Sequence, residues 1–199
     1  MMMLFVFGFS NDCSDVHAQR PRGLAFATQA RDGAVDQTAL KILHLLLQGA
    51  ELAGADLGHI DLTNLNLSGA DFHGAKMNDA NLTNSVLVMA DLSGADLSGA
   101  VMRQADLGGI NLSGANLAGV DLLEANLGAV EIKDKNGAPT GRRWPANLMN
   151  ADLNGANLCK ADLRGANLKG ANFEGADLTG ADVRDTLLDT ADSAATAAE

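Results

Sequence analysis

The sequence predicts an all-β solenoid, and three observations support that fold class. One five-residue word, Ala-(Asp or Asn)-Leu-x-x, occurs twenty-six times between Ala50 and Thr190. A period of five fits neither a helix, which repeats every 3.6 residues, nor an alternating strand, which repeats every two. The third position of the word is Leu in 20 of the 26 copies. Such short words bury an apolar face only when successive coils stack on one another.

The substitutions within the word indicate which positions face the core. Every residue that replaces Leu at the third position is apolar: Phe72, Met77, Met102, Ile132, Phe173 and Val183. The first position accepts mainly Ile, Leu and Val in place of Ala. The fourth and fifth positions are rich in Gly, Ser, Thr, Asn and charged residues, which are typical of solvated turns. We therefore expect the first and third positions to be core and the other three to be surface.

These words resemble the pentapeptide repeat family, as in Ala90-Asp91-Leu92-Ser93-Gly94 and Ala166-Asn167-Leu168-Lys169-Gly170. The resemblance covers residues 50–190. It implies a right-handed quadrilateral β-helix with four words per coil. On that basis the twenty-six words give about 6.5 coils.

The chain divides into six segments by composition and by the register of the word. These are a poorly ordered lead-in or leader at 1–35, a capping helix at 36–49, a first repeat block at 50–134, an inserted loop at 135–145, a second repeat block at 146–190 and a tail at 191–199. The apolar run from Leu4 to Phe9 has no basic residue before it, and it is shorter than a signal peptide requires. A cytoplasmic location is therefore expected, with export after a short leader as the alternative.

The helix at 36–49 is predicted from its boundaries and its apolar face. Asp36 is a suitable N-cap, Gly49 is a suitable C-terminal stop, and Leu and Ile residues form a broad stripe between them. A solenoid must cover its first coil, so this helix is expected to cap the N-terminal end. The Ala-rich tail at the other end has little apolar surface. Either it is frayed, or a second subunit covers the last coil in a homodimer.

The inserted loop at 135–145 interrupts the repeat and carries Lys135, Arg142, Arg143 and Trp144, the only Trp of the chain. Arg and Trp on a projecting loop are typical anchors of binding surfaces. In the alternative interpretation, which we prefer, Trp144 folds back over the Leu core at the break in register. A smaller apolar patch is expected where Val86, Val88 and Met89 occupy outward positions, either as a contact site or as ordinary surface apolar residues.

Acidic residues are concentrated in the first block, which has a net charge of −9, against −3 for residues 146–190. With four words per coil, one face would carry a column of Glu51, Asp71, Asp91 and Glu131, interrupted by Asn111. Some members of the resembled family, the quinolone-resistance group, are understood as duplex-DNA mimics that bind DNA gyrase and topoisomerase IV. A simpler interpretation is that the second-position Asp bonds backbone N–H groups of the turn, as Asn also does.

The sequence offers no catalytic, cofactor-binding or metal-binding constellation. Its four His and two Cys residues have no metal-ligand spacing, and its Gly residues follow the period of the word. Cys13 and Cys159 lie in different regions, so a disulfide bond is not expected. A net charge of −11 argues against direct binding of nucleic acid. No apolar stretch is long enough to span a membrane.

The sequence therefore predicts a non-enzymatic protein-interaction module or scaffold whose protein partner is unidentified. Candidate partner-binding residues are Arg142, Arg143 and Trp144 on the loop and Glu51, Asp71, Asp91 and Glu131 in the acidic column. The alternative function is a DNA-mimicking modulator of a type II topoisomerase that confers protection from quinolones.

Overall fold

The computed structural model of the chain describes residues 47–188. It contains two named strands, β1 (Val130–Lys133) and β2 (Pro139–Trp144), which pair with each other. The rest of the described chain is a ladder of isolated parallel bridges. The predicted lead-in, the predicted tail and most of the predicted capping helix lie outside the described residues.

The coil has four words, because the bridges within each repeat block join residues twenty positions apart. Glu51 bridges to Asp71, Asp71 to Asp91 and Asp91 to Asn111, all in parallel. Two backbone hydrogen bonds form each bridge. In the first bridge the Leu52 N–H donates to the Asp71 carbonyl at 2.7 Å, and the Asp71 N–H donates to the Ala50 carbonyl at 2.9 Å. The solenoid is therefore held by backbone hydrogen bonds that run along its axis, with four columns of bridged residues on its surface.

The core consists of the first and third positions of the word, as the substitutions predicted. Leu, Phe and Met side chains at the third position are fully buried from Leu67 through Leu163, and Ala residues at the first position line the same interior. Ser85 is the one polar side chain buried in the described core, and its hydroxyl donates to the Leu82 carbonyl at 2.7 Å. At the C-terminal end Val183 and Leu187 are exposed. A second subunit covering this end stays a prediction.

The geometry of the turns explains which residue types occur at the second and fifth positions of the word. The fifth residue adopts a left-handed backbone, as at Gly94 (φ 64°) and Asn84 (φ 57°), which favours Gly and Asn. The second residue accepts a hydrogen bond from the backbone N–H two residues later, as Asp91 does from Ser93 at 2.9 Å. The predicted turn bond of the second-position Asp and Asn is therefore confirmed.

Asn at the second position also donates along its column, which Asp cannot do. The Asn111 amide donates to the Asp91 carboxylate at 3.0 Å, the Asn147 amide to Asn111 at 3.2 Å, and the Asn167 amide to Asn147 at 3.1 Å. Each amide thus bonds the coil before it. The exchange of Asp and Asn at this position consequently changes both the charge and the side-chain hydrogen bonds between coils.

The insertion is longer than the sequence predicted. Asn111 bridges to Asn147, and these residues are 36 positions apart instead of twenty. The chain therefore leaves the coil at Val130 and returns after Pro145, and we call this segment, 130–145, the inserted hairpin. The interpretation of Val130–Asp134 as the last word of the first block was wrong, as was the placement of Glu131 in the acidic column. The estimate of 6.5 coils included that word.

Local chemistry accounts for the difference. Val-Glu-Ile-Lys alternates apolar and polar residues and is rich in β-formers, so it suits a strand as well as it suits the word. The Asp134 carboxylate accepts hydrogen bonds from the N–H groups of Asn136 at 2.8 Å and Ala138 at 2.9 Å, and Gly137 has a φ of 80°. This turn joins β1 to β2 in antiparallel register, with Val130 opposite Trp144.

Deletion of residues 130–145 should leave the solenoid intact. It joins Ala129 to Ala146 and restores the twenty-residue spacing between Asn111 and Asn147, so every bridge keeps its partner. We expect the midpoint of thermal unfolding to lie within about 4 °C of the wild type, a change of about 1 kcal/mol. Circular dichroism measures the midpoint.

Deletion of residues 131–145 is the matched control. It removes one residue fewer, so the later words are displaced by one position and their Leu residues leave the core column. We expect this variant to unfold at a much lower temperature. Equal midpoints for the two deletions would contradict the proposed frame of the insertion.

Candidate functional site

The inserted hairpin lies against the turn of the preceding coil at Gly108 and Gly109. Both glycines are buried. A methyl group on Gly108 would come within 2.7 Å of Val130 Cγ2, and one on Gly109 would come within 3.2 Å of Trp144 Cδ1. Two consecutive glycines therefore allow the base of the hairpin to lie directly on the backbone of the coil.

Trp144 lies on the outer surface of the solenoid and not over the Leu core. Its ring contacts the turn at Gly109, while the Leu residues beneath are fully buried by the coil itself. About half of the side chain, 51%, remains exposed. The ring is thus held at its base by the hairpin and open to solvent on its other side.

Met89 extends the apolar surface beside Trp144. Its sulfur lies 2.9 Å from the position that a Gly109 methyl group would take, and 46% of the residue is exposed. Met89 also has a φ of 60°, a left-handed conformation that is unusual for a residue of this size. The apolar patch predicted from Val86, Val88 and Met89 therefore meets the base of the hairpin.

Four of the predicted partner-binding residues lie together on the hairpin. Glu131 on β1 stands opposite Arg143 on β2, and Arg142 and Trp144 flank Arg143 in sequence. All of them are exposed. Within residues 47–188 neither the Arg142 nor the Arg143 guanidinium has a hydrogen-bond or ion-pair partner. The hairpin therefore presents two unneutralised cations next to a half-exposed Trp.

The other three predicted residues, Glu51, Asp71 and Asp91, stack in consecutive coils of one column. Burial alone would raise the pKa of Asp91, but hydrogen bonds from Ser93 and Asn111 hold it below its ordinary value. Asp91 is therefore ionised at neutral pH. The column continues through Asn111, Asn147 and Asn167 to Leu187, so its acidic part ends at Asp91.

Ion pairs on the described surface lie outside that acidic stack. Arg103 Nε donates to Asp121 at 2.5 Å, Arg164 pairs with Asp162 at 2.6 Å, and Lys160 lies 3.4 Å from Glu124. Hydrogen bonds from Arg184 lower the pKa of Asp182 to about 2. These pairs neutralise several acids of the C-terminal half, whereas the Glu51–Asp91 stack keeps its full charge.

Sequence reasoning missed the residues on which the hairpin lies. Gly108 and Gly109 form the only Gly-Gly pair of the chain, and that pair was a usable signal because other words carry one turn glycine at most. Val130 was assigned to the core and is instead half-buried at the base of the hairpin. Its contact with Gly108 joins positions 22 residues apart in sequence, so no local pattern predicts it.

Residues 47–188 contain no candidate metal site and no membrane-spanning helix, and one of their residues, Cys159, is disulfide-bonded. No three His, Cys, Asp or Glu side chains within residues 47–188 are grouped to hold a metal ion. The same part of the chain contains no helix long and apolar enough to cross a membrane. Cys159 is buried and disulfide-bonded, and its partner lies outside the described residues. The expectation that the chain forms no disulfide bond was wrong.

Comparison with known proteins gives one family match. A family model described as pentapeptide repeats matches the chain in eight copies, over residues 46–84, 75–114, 95–130 and 146–185. The matches stop at 130 and resume at 146, in agreement with the bounds of the inserted hairpin. Among proteins of curated function, none matches this sequence.

Solved structures that match this chain include pentapeptide repeat proteins and a fluoroquinolone resistance protein. HetL, a pentapeptide repeat protein involved in heterocyst differentiation regulation in the cyanobacterium Nostoc sp. strain PCC 7120, is 34% identical over 70% of this chain, with a TM-score of 0.47. The match spans 58% of the length of HetL. QnrB1, a plasmid-mediated fluoroquinolone resistance protein, is 19% identical over 74% of this chain and 86% of its own, with a TM-score of 0.49.

Substitution of Gly109 by Ala should displace the base of the hairpin. The added methyl group would come within 2.9 Å of Met89 Sδ and 3.2 Å of Trp144 Cδ1, so one of these side chains must move. Gly119→Ala is the matched control, because Gly119 has the same φ of 65° and no atom within 4 Å of the added methyl. Both variants carry a backbone strain of about 1–2 kcal/mol. We expect the fluorescence of Trp144 to shift to longer wavelength only in Gly109→Ala, and identical spectra would contradict the contact.

Substitution of Arg184 by Gln should raise the pKa of Asp182 from about 2 toward its ordinary value of 3.8. Because the carboxyl has a lower pKa in the folded state, this interaction stabilises the protein above pH 3.8 and is lost as the pH falls toward 2. Titration of the Asp182 carboxyl carbon by NMR measures the shift. Arg103→Gln, which removes a cation that pairs with Asp121 several coils away from Asp182, should leave that titration unchanged.

Proposed function

We propose that this chain, which belongs to the pentapeptide repeat family, is a non-enzymatic protein-interaction module in which a rigid solenoid presents the inserted hairpin to a protein partner. The family membership accounts for the solenoid. The hairpin is the part of the described chain that the repeat does not require, so it is the best candidate for a specific role.

The observation that supports this proposal is a set of exposed side chains without described partners on the inserted hairpin, whose base is held against the solenoid. Arg142 and Arg143 have no described partner, and Trp144 is half-exposed although its base lies against Gly109. Arg and Trp are the residue types that most often dominate binding energy at protein interfaces. Because the hairpin lies on a buried Gly-Gly turn, the partner need not order it on binding, and that lowers the entropic cost of association.

The non-enzymatic part of the proposal rests on the same surface. Most acidic side chains of the solenoid stand in partly exposed columns, and those with a shifted pKa have it lowered by hydrogen bonds or by a neighbouring Arg. A general acid at neutral pH needs a raised pKa instead.

The proposal is tested by comparing partner capture with the wild type and with the variant that lacks residues 130–145. That deletion keeps the word frame, so lost capture would reflect the hairpin and not the fold. The triple substitution Arg142→Ala, Arg143→Ala and Trp144→Ala tests the side chains with the hairpin backbone retained. Partners identified by mass spectrometry should be lost from both variants, and retention of the same partners by the deletion variant would refute the proposal.

A DNA-mimicking modulator of DNA gyrase or topoisomerase IV is the second candidate function. Its support is the stack of Glu51, Asp71 and Asp91, in which neighbouring acids are ~4.8 Å apart. B-DNA presents one phosphate per ~3.4 Å along each strand. The stack contains three acids only, because the structure places Glu131 on the hairpin and Asn147 in the column. The protein-interaction module is therefore better supported than the DNA mimic.

A gyrase supercoiling assay with and without a quinolone separates the two candidates. A DNA mimic should inhibit supercoiling or protect the enzyme from the drug, and the triple variant Glu51→Gln, Asp71→Asn and Asp91→Asn should lose that effect. No effect of the wild type at micromolar concentration would remove this candidate. It would leave hairpin-dependent capture of other partners unaffected.

A further inference from the structure

A cleft of about 390 Å³ lies between the inserted hairpin and the column of bridged residues that includes Asp106 and Asp162. Its charged walls are Arg143 on the hairpin and Asp106, Asp162 and Arg164 on the solenoid, and Val88 and Val130 supply apolar surface. The volume is in the range of small-molecule and peptide-binding sites. The cleft is distinct from the exposed surface of Arg142 and Trp144, which do not line it.

Two of the four charges in the cleft already neutralise each other. The Arg164 guanidinium donates to both carboxylate oxygens of Asp162, at 2.9 Å and 2.6 Å, and hydrogen bonds from Arg164 hold the pKa of Asp162 below its ordinary value. Arg164 also lies 3.6 Å from Asp182 in the next coil. This pair forms a fixed wall and has little capacity left for an external ion.

The remaining two charges are opposite in sign and unpaired. Asp106 Oδ1 accepts hydrogen bonds from the Asn126 amide at 2.9 Å and the Gly108 N–H at 3.3 Å, but Oδ2 has no bond within the described residues. Arg143, on the opposite wall, forms no ion pair with Asp106 or with any other acid described, including its cross-strand neighbour Glu131. An occupant that offers an anion to Arg143 and a hydrogen-bond donor to Asp106 would satisfy both.

An extended peptide with an acidic side chain has this chemistry. Its carboxylate matches the fork of the Arg143 guanidinium, and its backbone N–H groups are donors for Asp106 Oδ2. An aliphatic side chain next to the acid would cover Val88 and Val130. The hairpin edge itself is a poor place to add a strand, because β2 begins at Pro139 and its pairing with β1 is irregular. Recognition through side chains in the cleft is therefore favoured over strand addition.

We propose that the cleft between the hairpin and the solenoid binds an extended peptide segment of a partner protein, with an Asp or Glu side chain on Arg143, backbone N–H groups on Asp106, and an aliphatic side chain against Val88 and Val130. This inference rests on the proposed function and names the class of partner. It also adds Asp106, which the sequence did not indicate, and it gives a role to Val88 of the apolar patch that the sequence predicted.

The test uses a displayed library of random twelve-residue peptides selected on the full chain, with counter-selection on Arg143→Gln. The selected peptides should share an acidic residue next to an aliphatic one. Their binding is then titrated through the fluorescence of Trp144, the only Trp of the chain, and through calorimetry. Arg143→Gln should weaken binding about fivefold, as expected for an exposed ion pair of about 1 kcal/mol.

Arg142→Gln is the matched control, because it removes the same charge from the neighbouring position of β2 and Arg142 does not line the cleft. We expect less than a twofold effect from it. Replacement of the selected Glu by Gln in the peptide should reproduce the loss seen with Arg143→Gln. The inference is overturned if no acidic and aliphatic motif is selected, or if Arg142→Gln and Arg143→Gln weaken binding equally, which would indicate general electrostatic attraction.

Failure of this inference and failure of the proposed function give different results. If the deletion of residues 130–145 abolishes partner capture while Arg143→Gln has no effect on it, the hairpin binds its partner outside the cleft. If peptides bind the cleft but capture survives the deletion, the cleft site stands and the proposed function fails.

Discussion

The hydrogen-bond ladder between successive coils is the interaction on which the rest of the structure depends. Each word donates backbone hydrogen bonds to the coils before and after it, as the Asp71 N–H does to Ala50 and the Phe72 N–H to Asp91, and it accepts from both, so no word satisfies its backbone alone. This requirement fixes the spacing of bridged residues at twenty and permits an insertion only where the chain returns to its point of departure. The hairpin meets that condition, since Asn111 finds its partner in Asn147 despite the longer path.

The ladder also determines how the surface charge is distributed. Side chains at the second position are stacked on their neighbours by the backbone, whatever their charge. The side-chain amide of an Asn in the stack donates a hydrogen bond to the coil before it, as Asn111 does to Asp91. Consecutive acids gain no such hydrogen bond. Where Asp162 and Asp182 do stack, Arg164 lies within ion-pair distance of both. The Glu51–Asp91 stack has no comparable cation in the described chain, so its three carboxylates form no ion pair there.

Much of the fold could be predicted from the sequence, because the period, the buried columns and the turn residues are properties of single words. The end of the first block could not. Val130–Asp134 fits the word and fits a strand, and only pairing with Pro139–Trp144 decides between them. The candidate site could likewise be predicted only in part, because one wall of the cleft depends on contacts between residues that are distant in sequence. Arg142, Arg143 and Trp144 departed visibly from the repeat, but the opposite wall of the cleft consists of ordinary repeat residues, Asp106 among them, that acquire a role through a contact distant in sequence.

The longer path between Asn111 and Asn147 has a consequence for the order of folding. Closing a loop of 36 residues instead of twenty costs about 0.5 kcal/mol more in chain entropy, so the four bridges that span the insertion, from Asn111–Asn147 to Asn126–Asp162, are the least favourable to form by direct closure. A hairpin forms in about 1–10 μs, and once formed it brings Ala129 and Ala146 together and shortens the effective loop to that of an ordinary coil. We therefore expect the inserted hairpin to act as a local folding nucleus at the junction of the two repeat blocks. Its early formation would couple the stacking of coils in one block to the stacking of coils in the other.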